Sequence, residues 1–198
     1  MIEQLISWDK SLLLYLNGMH TDFWDMVMYW ISDKFIWIPF YLFLIYFVIK
    51  NYKFRTIDVF VGIAFLITVS DQVSVQCFKE VFQRLRPCQD PSMQPFVHLV
   101  NNECGGLYSF VSSHAANTFA LGFFLIQILG NKVKYLTIGI IVWASIVSYS
   151  RIYLGVHYPL DVLCGAILGA LIGFGIGKTF NWYYSTYVLK GINKIIQK

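Results

Sequence analysis

Residues 150–161 read SRIYLGVHYPLD and separate two long apolar runs, residues 133–149 and residues 162–177. Charged side chains at a membrane boundary are costly unless they have a function there, so this stretch predicts a functional connection between two membrane-spanning helices. Pro159 is tolerated in the first turn of a helix, where its missing N–H is not needed. We therefore expect the second helix to begin at Tyr158 or Pro159.

Three polar side chains of this stretch indicate a chemistry. The expected helix start puts His157 at the mouth of the helix and Asp161 one turn inside it, close enough for the carboxylate to meet the imidazole. A carboxylate in that position fixes the tautomer of the ring and stabilises positive charge on it. Arg151 offers a planar fork of N–H donors to an oxyanion in front of the ring. The stretch predicts a histidine directed at an anion, and phosphate is the anion we expect.

The composition places most of the surface in a membrane. Of the 198 residues, 57% are hydrophobic and 13% are charged, whereas an ordinary soluble domain is about 25% charged. This length allows one domain of several membrane helices. The N-terminal residues lack the basic leader and apolar core of a signal peptide. Basic residues are not interleaved with aromatic residues on a soluble surface, so no nucleic-acid partner is expected.

The apolar runs predict an all-α integral membrane protein, a bundle of five or six transmembrane helices with an amphipathic N-terminal helix. The amphipathic helix covers residues 2–17, and a sixth span exists only if this helix also inserts. The expected spans are residues 35–49, 57–79, 112–129, 133–149 and 159–177. The expected division of the chain is interfacial helices at 1–34, a transmembrane catalytic core at 35–178 and a cytoplasmic amphipathic tail at 179–198.

Basic residues predict the topology independently of any motif. They concentrate in the loop at 50–55, the turn at 131–134 and the tail after 177, as Lys50, Lys53, Arg55, Lys132, Lys134, Lys178, Lys190, Lys194 and Lys198. By the positive-inside rule these three segments are cytoplasmic, which places residues 84–111 and 150–158 outside. The polar residues at the outer helix ends then share one side of the membrane.

Two further segments belong to this outer side. Lys79 and Arg86 are seven residues apart and face one side if the helix persists to Pro87. Ser112 or Ser113 suits the N-cap of the third span, whose free N–H groups favour an anion. Taken alone, each segment has an ordinary explanation, namely a snorkelling Lys or Arg and a capped helix with an incidental histidine.

Together the segments form a three-part pattern. It consists of Lys79, six residues, Arg86 and Pro87, then Ser112, Ser113 and His114, then Arg151, His157 and Asp161. The pattern resembles the signature of the type-2 phosphatidic acid phosphatase superfamily, which includes the vanadium haloperoxidases. One departure is visible, because the second motif of that family usually reads Pro-Ser-Gly-His and here Ser113 replaces the glycine.

The resemblance implies a role for each motif residue. His157 would be the nucleophile that accepts the phosphoryl group, Asp161 would orient it, and His114 would be the general acid. The phosphate oxygens would be held by Lys79, Arg86, Ser112, Ser113 and Arg151. No metal and no cofactor is expected, because cations of the protein take that place and the chain shows no ligand cluster of the usual spacing.

The resemblance also implies a lipid phosphatase that cleaves a phosphomonoester or a diphosphate at the outer surface of a bacterial inner membrane. Candidate substrates are undecaprenyl diphosphate, lipid A phosphates, phosphatidylglycerophosphate and phosphatidate, and the sequence does not choose among them. Two alternatives stay open, a vanadate-dependent oxidant-generating enzyme and a non-catalytic lipid-binding or transport subunit. The oligomeric state is open as well.

Five other side chains attract attention. Cys88 and Cys104 both lie in the outer segment, where an oxidising compartment would allow a disulfide that closes the loop. Asp71 lies inside the second span and should face other helices, either supporting the site or forming an interhelical hydrogen bond. His20 and His98 match no motif and are expected at the surface or the membrane interface.

Overall fold

The computed structural model describes residues 1–130 and 132–189 of the chain, and these residues form helices and connecting loops. The predicted all-α bundle is confirmed. The α-helices are α1 (Ile2–Asn17), α2 (Asp22–Ser32), α3 (Ile38–Tyr52), α4 (Thr56–Gln72), α5 (Glu80–Phe82), α6 (Ser113–Leu129), α7 (Leu136–Tyr153) and α8 (Pro159–Tyr183). The segment Val73–Lys79 is a π-helix that joins α4 to α5.

Three helical stretches of the described chain are long and apolar enough to cross a membrane. They are Lys34–Phe82, which contains both α3 and α4, Leu136–Tyr153 and Pro159–Tyr187, and α6 is a shorter apolar helix. Helix α7 begins three residues later and ends four residues later than the span expected at 133–149. Ser150 and Arg151 therefore lie in its last turn, and the expectation that they belong to the connecting loop was wrong.

Lys79 and Arg86 would share a helix face only if one helix continued to Pro87, and the helix that carries Lys79 ends before that residue. Gln83 adopts a left-handed conformation with φ 46°, which stops the helix after Phe82. Arg86 therefore lies on the loop that follows, and a shared helix face does not explain why the two cations converge. The loop instead returns to the site through an isolated antiparallel bridge between Leu85 and Tyr108.

Helices α6 and α8 pack more closely than the other helix pairs of the described chain because small residues line their contact. Gly165, Gly169 and Gly173 repeat every fourth residue along α8. A Cβ added at Gly169 would meet the backbone of Ala116, and one added at Gly173 would meet the backbone of Ala120. Small residues at this spacing let two helix backbones approach inside a membrane. This contact fixes the relative position of the two histidines, because His114 begins α6 and His157 precedes α8.

Helix α1 buries two polar side chains, those of Asp9 and Asn17. Its buried positions are Asp9, Leu13 and Asn17, whereas Trp8 is 64% exposed. Asn17 donates hydrogen bonds to the carbonyl oxygens of His98 and Tyr153 at 2.8 and 2.7 Å. A helix with apolar side chains outside and polar side chains inside suits an apolar surrounding, and its polar face joins the interior of the protein.

The basic turns lie at the end of the helices opposite the candidate site. Lys132 stacks over the ring of Tyr52 at 4.4 Å, and that tyrosine packs against Tyr184. Helix α8 continues past Lys178, so the predicted boundary at 178 does not coincide with a helix end. The predicted tail residues Lys190, Lys194 and Lys198 lie outside the described residues.

Candidate active site

His157 is the centre of the candidate site. Its side chain is 1% exposed, and it lies on the short connection between α7 and α8. Burial lowers the pKa of His157 well below its ordinary value, and the positive charges of Arg86, Arg151 and Lys79 lower it further. The imidazole is therefore neutral near pH 7 and keeps a free lone pair for attack on an electrophile.

The three predicted segments converge on this ring. The charges of Lys79, Arg86 and Arg151 act on His157, and the same cations together with His157 act on His114. Lys79 comes from the end of the second span, Arg86 from the following loop and Arg151 from the end of α7. Residues separated by more than seventy positions in sequence thus form one cationic site at one end of the bundle.

Asp161 lies behind His157 and is fully buried. Its Oδ2 atom is 3.7 Å from Nδ1 of His157 and accepts a hydrogen bond from the backbone N–H of Tyr158 at 2.9 Å. This contact closes the first turn of α8. The carboxylate thus stands next to the ring, as the spacing predicted, although the ring nitrogen has no hydrogen-bond partner in the described chain. Hydrogen bonds of this kind are often long in the absence of substrate.

Arg84 and Asp9 complete the support behind Asp161, and the sequence analysis missed both. Arg84 donates hydrogen bonds to Oδ1 of Asp161 at 2.8 Å and to Oδ2 of Asp9 at 2.7 Å. Its guanidinium also lies 3.8 Å above the ring of Tyr158. Asp9 accepts a further hydrogen bond from the backbone N–H of Leu160. Arg84, on the loop after α5, therefore links α1 to α8. The available signal in the sequence was the charge of Asp9 among the apolar residues of α1.

Arg86 is 9% exposed and is held by backbone carbonyls. It donates a hydrogen bond to the carbonyl of Cys104 at 2.8 Å and to that of Tyr108 at 3.4 Å. The structure joins Cys104 to Cys88 by a disulfide, with Cα atoms 5.9 Å apart. Gly105 has φ +80°, and a side chain there would meet the guanidinium of Arg86. The loop is thus shaped around the arginine.

Arg151 extends from the last turn of α7 towards α2. One of its terminal nitrogens donates a hydrogen bond to the hydroxyl of Ser32, and its Nε has no partner in the described chain. Ser32 is a third residue that the sequence analysis missed, because α2 carries no motif. The neutral hydroxyl orients the guanidinium without cancelling its charge, so the charge stays available to an anion.

The start of α6 uses its serines for structure. Ser112 is buried, its hydroxyl caps the helix at 3.5 Å from the N–H of Ala115, and its own N–H donates to the carbonyl of Asp161 at 2.9 Å. The hydroxyl of Ser113 lies 2.9 Å from that of Ser74. His114 is solvent-accessible. Direct contact of Ser112 and Ser113 with a phosphate stays a prediction, whereas their role in docking α6 on α8 is visible.

An apolar surface adjoins the cationic site. Phe78, Phe82 and Phe110 form a cluster with ring centroids 5.1 to 6.1 Å apart, next to Lys79 in the chain. Phe82 is 60% exposed. A charged site beside an exposed aromatic surface suits a substrate that is anionic at one end and apolar at the other.

Three other polar residues that the sequence analysis considered, Asp71, His20 and His98, lie outside the site. Asp71 accepts a hydrogen bond from Asn117 of α6 at 3.4 Å, which is the interhelical role considered for it. His98 pairs with Asp25 at 2.7 Å and stacks on His20 with ring centroids 3.6 Å apart. These contacts connect α2 to the loop before α6.

Residues 57–185 match the profile of the PAP2 superfamily. The chain belongs to this superfamily. It is 41% identical over 177 residues to a lipid A 4'-phosphatase of Bacteroides thetaiotaomicron, covering 88% of this chain and 76% of that one. It is 31% identical over 188 residues to a lipid A 4'-phosphatase of Porphyromonas gingivalis, covering 94% of this chain and 79% of the relative.

A solved structure of a PAP2 phosphatase shares the fold. The transmembrane phosphatidylglycerolphosphate phosphatase of Bacillus subtilis superposes with a TM-score of 0.67 at 23% identity, covering 93% of this chain and 89% of the other. The family match and the two lipid A 4'-phosphatase relatives confirm the predicted family and the predicted enzyme class. This PAP2 protein is an integral membrane lipid phosphatase, and the vanadium-dependent and non-catalytic alternatives are not supported.

Proposed function

We propose that this PAP2 protein hydrolyses the phosphomonoester of a lipid A-type glycolipid through a phosphohistidine on His157. The observation that carries the reaction is the convergence of three cations on one buried, neutral imidazole. The relatives named lipid A 4'-phosphatase support the choice of substrate, and the aromatic cluster beside Lys79 offers a surface for the acyl chains.

The first step forms a bond between His157 and phosphorus while the ester P–O bond breaks. Lys79, Arg86 and Arg151 stabilise the charge that develops on the phosphoryl oxygens. His114 stands in the solvent-accessible part of the site and donates a proton to the leaving alkoxide. Asp161 stabilises the positive charge on the imidazole as the N–P bond forms, and Arg84 holds that carboxylate in place.

The second step releases phosphate. A water molecule attacks phosphorus, His114 accepts the proton from the water, and the N–P bond breaks to regenerate neutral His157. The sum of the two steps is one ester and one water converted to one alcohol and one phosphate. Protein cations fill the position that a metal ion occupies in many other phosphoryl-transfer enzymes.

The site is further proposed to face the outside of the inner membrane. Lys132 and the tyrosines that surround it lie at the opposite end of the helices, and basic turns favour the cytoplasmic side. Phe96 is 71% exposed on the loop beside the site. A cysteine at this position should react with a membrane-impermeant thiol reagent in intact spheroplasts, and labelling only after lysis would reverse the orientation.

Phosphate release from purified protein tests the mechanism. We expect His157→Ala and His114→Ala to reduce release from a lipid A phosphate by at least about 1,000-fold, because nucleophile and acid act as one unit. His20→Ala, an exposed histidine outside the site, is the matched control and should keep full activity. An acid-labile radioactive phosphoryl label should appear on the wild type and be absent from His157→Ala.

Two outcomes would contradict the mechanism. A phosphoryl label that persists in His157→Ala would assign the nucleophile to another residue. A strong loss of activity on treatment with a chelator would point to a metal-dependent reaction and would overturn the roles given to the cations.

A further inference from the structure

A cavity lies between Arg151 of the phosphate site and the end of α2, and both polar and apolar side chains line it. Its volume is about 560 Å³, within the range of small-molecule sites. The walls come from the end of α2, the loop that carries Cys104 and the connection after α7. The lining residues that can form hydrogen bonds are Tyr29, Ser32, Asp33, Asn102, Glu103 and Arg151.

Arg151 connects this cavity to the phosphate site. Its guanidinium lines the cavity, its charge acts on His157, and its Nε is buried without a partner in the described chain. A phosphate held by Arg151 would therefore have the next part of its headgroup at the mouth of the cavity. The aromatic cluster lies beside Lys79. The cavity would therefore receive the polar headgroup, and the aromatic cluster would receive the acyl chains.

The walls of the cavity are fixed before any ligand binds. The hydroxyl of Tyr29 donates a hydrogen bond to Glu103 at 3.3 Å, which ties α2 to the loop. The same loop is held by the disulfide of Cys104 and by the hydrogen bond from Arg86 to the Cys104 carbonyl. A preformed site loses less free energy on ordering when its ligand binds.

The chemistry of the lining selects the ligand. Carboxylates, an amide and a tyrosine can accept and donate hydrogen bonds to several hydroxyl groups at once, and an aromatic ring can cover the apolar face of a sugar. The carboxylates of Asp33 and Glu103 repel a second phosphate, so a diphosphate end is disfavoured there. A neutral, polyhydroxylated ring satisfies both conditions.

We infer that this cavity, here called the headgroup cavity, binds the sugar that bears the scissile phosphate, with Tyr29 and Glu103 setting specificity for a phosphorylated glycolipid. This inference rests on the proposed function and identifies the subsite by which the enzyme distinguishes a sugar phosphate from a simple lipid phosphate. A sugar there would place its phosphate between Arg151 and His157.

The test compares substrate affinity with phosphate affinity in the same variants. The substrate is a glucosamine-disaccharide lipid with one phosphomonoester, and inorganic phosphate serves as a competitive inhibitor that reaches only the cationic site. Tyr29→Phe and Glu103→Gln should each raise KM for the glycolipid about 10-fold, because each variant removes a hydrogen-bonding group that the sugar hydroxyls would use. The inhibition constant of inorganic phosphate should stay within twofold. Gln89→Ala, exposed on the same loop segment and outside the cavity, should change neither value.

The outcomes separate the two proposals. Variants that lose affinity for the glycolipid and for inorganic phosphate alike would show a merely structural role and would overturn the headgroup cavity. Variants with unchanged KM would show that the sugar lies elsewhere and would overturn it too. A wild-type protein that releases no phosphate from the glycolipid would refute the proposed function itself, and the inference with it.

Discussion

The two sides of His157 are built from opposite charge patterns. Behind the ring, Arg84 stands between the buried carboxylates of Asp9 and Asp161, at 2.7 and 2.8 Å. In front of it, none of the cations Lys79, Arg86 and Arg151 forms a salt bridge with any residue in the described part of the chain. The rear group, Arg84 with Asp9 and Asp161, has its counter-charges within the protein. The front group, Lys79, Arg86 and Arg151, has none in the described part of the chain.

This difference separates support from binding. Neutral partners hold the front arginines, a carbonyl for Arg86 and a hydroxyl for Arg151, so their positions are fixed while their charges stay available. An incoming phosphate supplies the missing negative charge. The rear group is complete without substrate, and its loss should affect folding. Two arginines only two residues apart, Arg84 and Arg86, thereby acquire different functions.

Exchanging these two arginines for methionine gives the largest expected effect. Arg84→Met leaves the two buried carboxylates of Asp9 and Asp161 without their shared cation, and breaking a buried ion pair in this way costs about 3–5 kcal/mol. We expect a large drop in the thermal unfolding temperature in detergent. Arg86→Met should lower the unfolding temperature much less than Arg84→Met does, because its partners are neutral carbonyls, while its kcat/KM falls by at least about 100-fold because a donor to the phosphate is lost.

A second substitution sharpens this test. Asp9→Asn removes one of the two carboxylates, so it should restore part of the stability that Arg84→Met loses. An Arg84→Met protein as stable as the wild type would show that the rear group does not support the fold.

The packing of α6 on α8 also supports Asp161, because the N–H of Ser112 donates a hydrogen bond to the carbonyl of Asp161. We expect a smaller effect when this packing is disturbed than when Arg84 is replaced. A methyl group at Gly169 would meet the backbone of Ala116, whereas one at Gly175 on the same helix meets nothing within 4 Å. Gly169→Ala should therefore destabilise the protein by about 1–3 kcal/mol, the usual cost of overpacking.

Gly175→Ala is the matched control and should unfold near the wild-type temperature. Equal unfolding temperatures for the two variants would show that α6 and α8 have room to separate. Lower activity of Gly169→Ala at a temperature where it stays folded would show that the contact also positions Asp161.

The sequence predicted the part of the site that the three-part pattern encodes. Lys79, Arg86, His114 and Arg151 were expected near His157 because the predicted topology puts all of these helix ends on the same side of the membrane. Charged residues at such positions are costly unless they have a function there. Their catalytic roles stay predictions that the variants above test.

The supporting residues Asp9, Arg84 and Ser32 could not be predicted. Their partners are distant in the sequence, and the spacing between them matches no motif. Asp9 looked like part of the polar face of an interfacial helix, yet that face is buried against α8. Ser32 matches no motif in the sequence. The end of α7 also differed, since hydrogen bonds such as that from Leu154 to Ser150 continue the helix past the apolar run.

The smallest expected effect concerns how far the front cations lower the pKa of His157. The reactive form is the neutral ring, so protonation of the ring lowers kcat/KM at acid pH. The pKa of His157 lies well below 6.5 because of burial and of Arg86, Arg151 and Lys79. Lys79→Met removes one of these charges and should move the acid limb of the pH profile to higher pH by a fraction of a unit. Lys79→Arg keeps the charge and should leave the limb in place.

Both variants use the same substrate, so the second ionisation of the phosphate, near pH 6, affects them equally. A limb that moves in both variants would trace to the shape of the lysine. A limb that moves in neither would show that the charge of Lys79 does not lower the pKa of His157. Movement confined to Lys79→Met would show that charge on one side of the ring controls its proton, while the carboxylates on the other side hold it in place.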